Sequence, residues 1–154
     1  MSQMNSVAYP VAGIMQRTML KDRWGTEAWE AYGVVRDIFE AVGAPQVIHE
    51  DAQQRQILYP GFVLTLHRDE AEGYYLNVSS PAPRVFVEWR EDEGEDVNKV
   101  RPAFVTVSYN EAARWMDSNE KVDGVPMPPE IFAWVGAFVE RHYRPQPKKM
   151  RRRS

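Results

Sequence analysis

The chain contains no cysteine at any of its 154 positions. Disulfides, iron–sulfur ligation, a thiol nucleophile and most structural zinc sites are thereby excluded. Long apolar runs are absent too, and none approaches the roughly 20 residues that span a bilayer. The opening Met1-Ser2-Gln3-Met4-Asn5-Ser6 has no basic stretch leading into an apolar one. No export signal is therefore expected, and the expected location is the cytoplasm. Gly13, Gly25 and Gly33 lie too far apart for a phosphate-binding loop, and no Gly-Lys-Ser/Thr follows them. A Gly-x-Ser-x-Gly elbow is also missing, and no serine stands in a nucleophile setting. The expectation is a protein without a catalytic, cofactor or metal site.

What is present suits one folding unit, because single cores typically serve about 100 to 200 residues. Aromatics make up 12% of the chain and include five Trp, which supply large apolar groups for a core. Six of the 19 basic residues fall between Arg144 and Ser154, where no acidic residue occurs. The preceding body therefore sets 22 acidic residues against 13 basic ones, a net charge of −9. The expected organisation is one globular α+β domain over residues 1–143 and a flexible basic tail over 144–154. Such a tail can dock on an acidic partner surface or simply solubilise the terminus. Nucleic acid is disfavoured, since the acidic body would repel phosphates beyond the tail's reach.

Val11–Arg17 is apolar enough for a partly buried strand, and Lys21–Gly25 reads as a turn. Between Trp29 and Phe39 the residues alternate as in a strand, although a short helix is the competing reading. Gln46–Glu50 and Gly61–His67 are two further strands, the latter with Phe62, Leu64 and Leu66 on one face. The spacing of Ala71, Tyr74, Tyr75 and Val78 turns helical. Arg84–Arg90 is a strand with Val85, Val87 and Trp89 inward. The acidic stretch Glu91–Asp96 separates it from a strand marked by Ala103, Val105 and Val107, so the two should form a long-looped hairpin. Ser108-Tyr109-Asn110-Glu111 is a capping box opening a helix that ends near Asp117, with Ala112, Trp115 and Met116 inward. Pro128-Pro129-Glu130 presets a last helix. There Ile131, Trp134, Val135, Phe138, Val139 and His142 make one apolar stripe.

Among chemically active residues, His49-Glu50-Asp51 cannot converge in a straight strand, whose neighbours point to opposite faces. His67 ends a strand. His142 ends a helix, where the dipole favours it. The acidic run lacks the spacing of a calcium loop and reads as solvated. Trp24, in the turn, is the tryptophan least easily assigned to the core. With Arg144, Lys148, Lys149, Arg151, Arg152 and Arg153 it is the candidate contact to a partner.

Several stretches together carry a resemblance. They are Pro10–Arg17 with Arg23, Trp24 and Trp29, then Leu64–Glu70 leading to Tyr75 and Asn77, and Pro83–Val87 with Arg90. At the end come Val105–Ser108 with Glu111-Ala112, Val125-Pro126-Met127-Pro128, Ala133-Trp134-Val135, Phe138-Val139-Glu140 and His142. The chain resembles a small bacterial family of unknown function whose genes lie beside those of molybdenum-dependent formate dehydrogenases. It departs from that family in having His142-Tyr143 where members often carry a His pair, and in a longer acidic insert near 91–96. The resemblance implies an accessory or small subunit of a molybdenum or tungsten formate dehydrogenase, acting in assembly or stabilisation by protein–protein contact. Two alternatives from other classes are a protein that binds molybdopterin guanine dinucleotide and a nucleic-acid-binding regulator using the tail. The expected fold is a curved antiparallel sheet or small open barrel of five to seven strands, closed by the helix from Pro129 to Tyr143. Two shorter helices near 69–78 and 109–117 should flank it.

Overall fold

Strand residues that alternate between faces organise the first part of the chain. The computed structural model describes residues 7–38, 43–92 and 99–145. Strands β1 (Ala8–Met19) and β2 (Glu27–Arg36) pair antiparallel. Gly25 in their connection takes φ 62°, a left-handed conformation that costs glycine little. Strands β3 (Gln46–Glu50) and β4 (Gln54–Thr65) complete an antiparallel sheet in the order β2-β1-β4-β3. On its inner face the buried Met15 stands opposite Ala31 on one side and Ile57 on the other.

A 3₁₀ turn at Arg68–Glu70 leads into α1 (Ala71–Val78). Strands β5 (Arg84–Glu91) and β6 (Val100–Thr106) form the expected hairpin, and α2 (Tyr109–Asp117) follows. Strand β7 (Lys121–Pro126) then pairs with the free side of β5, giving a second antiparallel sheet in the order β6-β5-β7. Helix α3 (Pro129–His142) ends the described chain. The α+β class and both flanking helices match the sequence reading. Its single sheet is instead divided in two, of four and three strands, and neither closes into a barrel.

The two sheets are joined by polar groups as well as apolar ones. Tyr59 Oη donates to the Val100 carbonyl at 2.9 Å, tying β4 to β6. Asp123 Oδ2 accepts from the Ala31 amide at 2.9 Å and from Trp89 Nε1 at 2.8 Å, tying β7 and β5 to β2. One apolar cluster runs through both sheets and the helices. Val11, Met15, Ile57 and Leu64 meet Val85, Val87 and Val100, and Ile131, Val135, Phe138 and Val139 of α3 join them. Each such side chain contributes about 1.5–3 kcal/mol when fully buried. The α3 stripe is therefore the largest helical contribution to the core. Trp115 is only half-buried and Met116 is exposed, against the expectation that both face inward, because α2 turns only Ala112 fully into the protein.

Only half of the capping box forms. Ser108 Oγ accepts from the Glu111 amide at 3.0 Å, but the Ser108 amide donates to Thr106 Oγ1 rather than to Glu111. The same hydroxyl donates to Glu70 Oε2 at 2.6 Å, and Arg114 Nη2 donates to Glu70 Oε1 at 2.7 Å. Burial pushes the Glu70 carboxyl up, but the Ser108 hydroxyl and the Arg114 guanidinium outweigh it and hold the group below its ordinary range.

Asn77, only 2% exposed, fixes the corner between α1, β5 and β6. Its Nδ2 donates to the carbonyls of Arg84 at 2.7 Å and Val107 at 2.8 Å, while Oδ1 accepts from the Arg84 amide at 2.9 Å. Asn77→Leu keeps the branched shape but is bulkier, and it strands three backbone groups, each costing about 1–3 kcal/mol when left unpaired. Urea denaturation is expected to show a loss of about 3 kcal/mol or more. A loss below about 1 kcal/mol would mean that water replaces the amide.

Gly73 of α1 lies against the N-terminal end of α2. A Cβ there would overlap Ser108 Oγ and lie 3.2 Å from Ser108 Cβ. The serine cannot rotate away without giving up both Glu70 and its cap. Gly73→Ala is therefore expected to destabilise by about 1–3 kcal/mol, despite alanine's better helix propensity. Thermal melts should show that cost shrinking in a Ser108→Ala background.

Candidate functional site

The residues singled out in the sequence separate widely in the fold. Trp24 projects from the β1–β2 connection and is 73% exposed, with the Arg23 guanidinium 4.3 Å above its ring. Arg144 folds back on the end of α3, where Nη1 donates to the carbonyls of Glu140 at 2.6 Å and Tyr143 at 3.0 Å. It caps orphan helix carbonyls, a local role that the tail reading did not foresee. Lys148, Lys149, Arg151, Arg152 and Arg153 lie outside the described residues, as do positions 93–96 of the acidic run.

His49 and Asp51 do come together, with Nε2 2.9 Å from Oδ2. Positions two apart share one face of a strand, so these two meet while Glu50 pairs with Arg55 Nε at 2.7 Å, and the three do not converge. Asp51 Oδ1 also accepts from the amides of Gln53 and Gln54, both at 2.8 Å. This is an Asx-type turn with a histidine beside it. Among the described residues no group of three or more His, Asp or Glu side chains is placed to hold a metal ion.

Helix α2 and the outer face of the smaller sheet carry a feature the sequence reading missed. Glu88 pairs across to Phe104, and Phe86 pairs to Thr106, so all four share the face of the sheet opposite Val85 and Val87. The Phe104 and Trp115 rings lie 6.3 Å apart, and the Phe86 and Tyr109 rings meet edge-on at 6.2 Å. Phe104 is 51% exposed and Tyr109 53%. Met116, also exposed, stands two turns along α2 from Tyr109. Arg90 sits 5.3 Å over the Phe104 ring and is held there from below, where Nη2 and Nε reach Glu88 Oε1 at 3.0 and 3.2 Å. Glu88 is 3% exposed, so Arg90 is the counter-charge that keeps a buried carboxylate tolerable. The face combines exposed aromatics, a methionine and an immobilised arginine.

Two concavities flank this architecture. Val7, Leu66, Arg68, Phe138, Arg141 and His142 line a pocket of about 370 Å³ where α3 ends. The Phe138 and His142 rings lie 4.5 Å apart in it. Partial burial and the nearby Arg68 and Arg141 guanidiniums hold the His142 imidazole below its ordinary pKa. A second pocket, also about 370 Å³, runs along the β5 end from Trp89 and Glu91 to Asn119 and Lys121. Its lining mixes both signs of charge. No helix among the described residues is long and apolar enough to cross a membrane.

These features define an α+β protein of two packed antiparallel sheets that carries an aromatic surface and a small cationic pocket. The chain belongs to DUF3305, a protein family of unknown function, whose model matches residues 10–153. Comparison with curated proteins and with solved structures returned no match.

The His49–Asp51 turn has a direct test. The Gln53 and Gln54 amides, and then the His49 ring, lower the Asp51 carboxyl from 3.8 to about 2. A depressed carboxylate contributes stability that is present above the unfolded pKa and lost as pH falls through the folded one. The window here runs from about 4 down to about 2. An NMR titration of the Asp51 side-chain carbon is expected to show its midpoint near 2. A midpoint at the ordinary carboxylate value would show that the turn amides do not engage it.

Proposed function

We propose that the protein is a non-catalytic accessory subunit or assembly factor of a molybdenum or tungsten formate dehydrogenase, acting by protein–protein contact. The observation that carries the contact is the exposed aromatic face of Phe104, Tyr109, Met116 and Arg90. Tyr, Phe, Met and Arg are the residue types enriched at the cores of protein interfaces. Arg90 is ordered in advance by Glu88, so a partner would lose less side-chain freedom on binding there. The partner's identity is supported by the resemblance to a family encoded beside formate dehydrogenase genes. Trp24 and the basic tail from Arg144 to Arg153 add secondary contacts in this reading, the tail by attraction to an acidic surface.

The test is affinity purification of the tagged full-length chain from its own host, grown on formate with molybdate, followed by size exclusion and mass spectrometry. Formate dehydrogenase subunits are expected to co-elute with it. The double variant Phe104→Ser/Tyr109→Ser, whose side chains lie on the surface, is expected to lose them while retaining its circular dichroism spectrum. Elution of the wild-type chain alone, without dehydrogenase peptides, would overturn the assignment.

A further inference from the structure

Helix α2 supplies half of the aromatic face yet has little apolar hold on the protein. Ala112 is the one residue it buries, whereas α1 buries four residues and α3 another four. What secures α2 is polar. Ser108, 0% exposed, stands at its start, and Arg114 follows more than a turn further along. Both reach the same carboxylate. Glu70 Oε2 accepts from the Ser108 hydroxyl at 2.6 Å, and Glu70 Oε1 accepts from Arg114 Nη2 at 2.7 Å. Hydrogen bonds to a carboxylate are stronger than those between neutral groups. One such contact alone would leave a pivot, but two at separate positions fix the helix in direction as well as in place. Asn110 Nδ2 adds a longer contact to Glu72 Oε1 at 3.3 Å. The Glu70 side chain makes no cap on α1, the helix it precedes, so its carboxylate is committed to α2. At the far end the chain leaves α2 through Asn119 at φ 63°, a left-handed turn that asparagine tolerates.

We propose that Glu70 is the positioning residue of the aromatic face. It clamps α2 so that Tyr109 and Trp115 keep their spacing to Phe86 and Phe104 on the sheet. Released from the clamp, α2 opens as a unit while both sheets and α3 stay folded. Segments with few buried apolar contacts are the ones that open well below the free energy of global unfolding. A partner reading the clamped face meets a surface already ordered. Without the clamp, binding must also order α2, which lowers affinity. That consequence rests on the docking role proposed above, whereas the opening of α2 is a property of the free chain.

Native-state amide hydrogen exchange on the full-length chain reads the opening directly. Glu70→Gln keeps the size of the side chain and removes its charge. It is expected to speed exchange of the α2 amides from Ala112 to Ser118 by about tenfold, or ~1.4 kcal/mol, and to leave Val87, Val105 and Val135 within about twofold. Arg114→Gln, which keeps the Ser108 cap, should act in the same direction. The double variant should add little to Glu70→Gln, because the two substitutions remove a shared contact. Nuclear Overhauser contacts between the Phe104 and Trp115 rings should weaken in both single variants. Equal acceleration of α2 and core amides would reduce Glu70 to a contributor to global stability and overturn the proposal. Unchanged α2 exchange or unchanged ring contacts would overturn it too. In the affinity purification, Glu70→Gln is expected to retain fewer dehydrogenase subunits than the wild-type chain, and equal retention would sink the positioning role. Failure of the wild-type chain to retain any counts against the docking reading, and the exchange and ring contacts of the free chain then decide the clamp.

Discussion

Asn77 holds the corner on which the arrangement of layers depends. Its side-chain amide completes the backbone hydrogen bonding of Arg84, where β5 begins, and of Val107, just past the end of β6. Neither strand can satisfy those groups itself, because the sheet has no further partner there, and buried backbone polar groups must be paired somewhere. By pairing them from a helix, Asn77 sets the distance and angle between α1 and the smaller sheet. The α1–α2 contact through Glu70, Ser108 and Arg114 is then possible, as is the edge-on packing of Tyr74 against Phe138 of α3, with rings 5.7 Å apart. Burial pushes the Tyr74 hydroxyl up to about 12, so it stays protonated and accepts from the His67 amide at 2.8 Å.

Function-bearing features sit where this frame leaves groups uncovered. Helix α2 is short and amphipathic. It covers the outer face of β5–β6 only in part, so Phe104 and Tyr109 stay in solvent while Trp115 is half-buried behind them. The α3–α1 packing draws the end of α3 towards the 3₁₀ turn, which brings Arg141 and His142 to Arg68. The two surfaces are built from different elements, so either can change its chemistry without repacking the other.

The elements that were legible in the sequence are those with strong local signals. The stripe of α3, the Ser108 cap, the inward Val85 and Val87, and the Phe62–Leu64–Leu66 face all read correctly because each uses one period throughout. Strand β7 was missed because it has only two valines, at 122 and 125, and contains Asp123-Gly124 and a terminal proline, which are turn-like in isolation. Its place is set by pairing with β5, where a Cβ at Gly124 would already meet Phe86 and Arg84 at 3.3 Å. The first half of β4 was missed for a similar reason, since Gln54, Arg55 and Gln56 do not look like strand residues until they pair with β1 and β3. The division into two sheets is a non-local outcome, and so is the convergence of Arg68 with Arg141 and His142. Composition even pointed the wrong way for Met116, whose exposure follows from where α2 lands. Trp24 was correctly singled out as the tryptophan outside the core, because a turn offers a large side chain nothing to pack against.

Strand β1 occupies the interior of its sheet although it is the first described element. Ala8 pairs with Thr65, so the pairing of β1 with β4 reaches residues 65 − 8 = 57 positions apart. Loop closure over that span costs entropy before the apolar inner face repays it. The inner face of that sheet is covered by elements that follow it in the chain: the smaller sheet, through Tyr59 to Val100 and Ala31 to Asp123, and the stripe of α3, the last described element. The core is therefore completed between segments far apart in sequence, and the larger sheet alone does not carry enough partners to bury its own inner face.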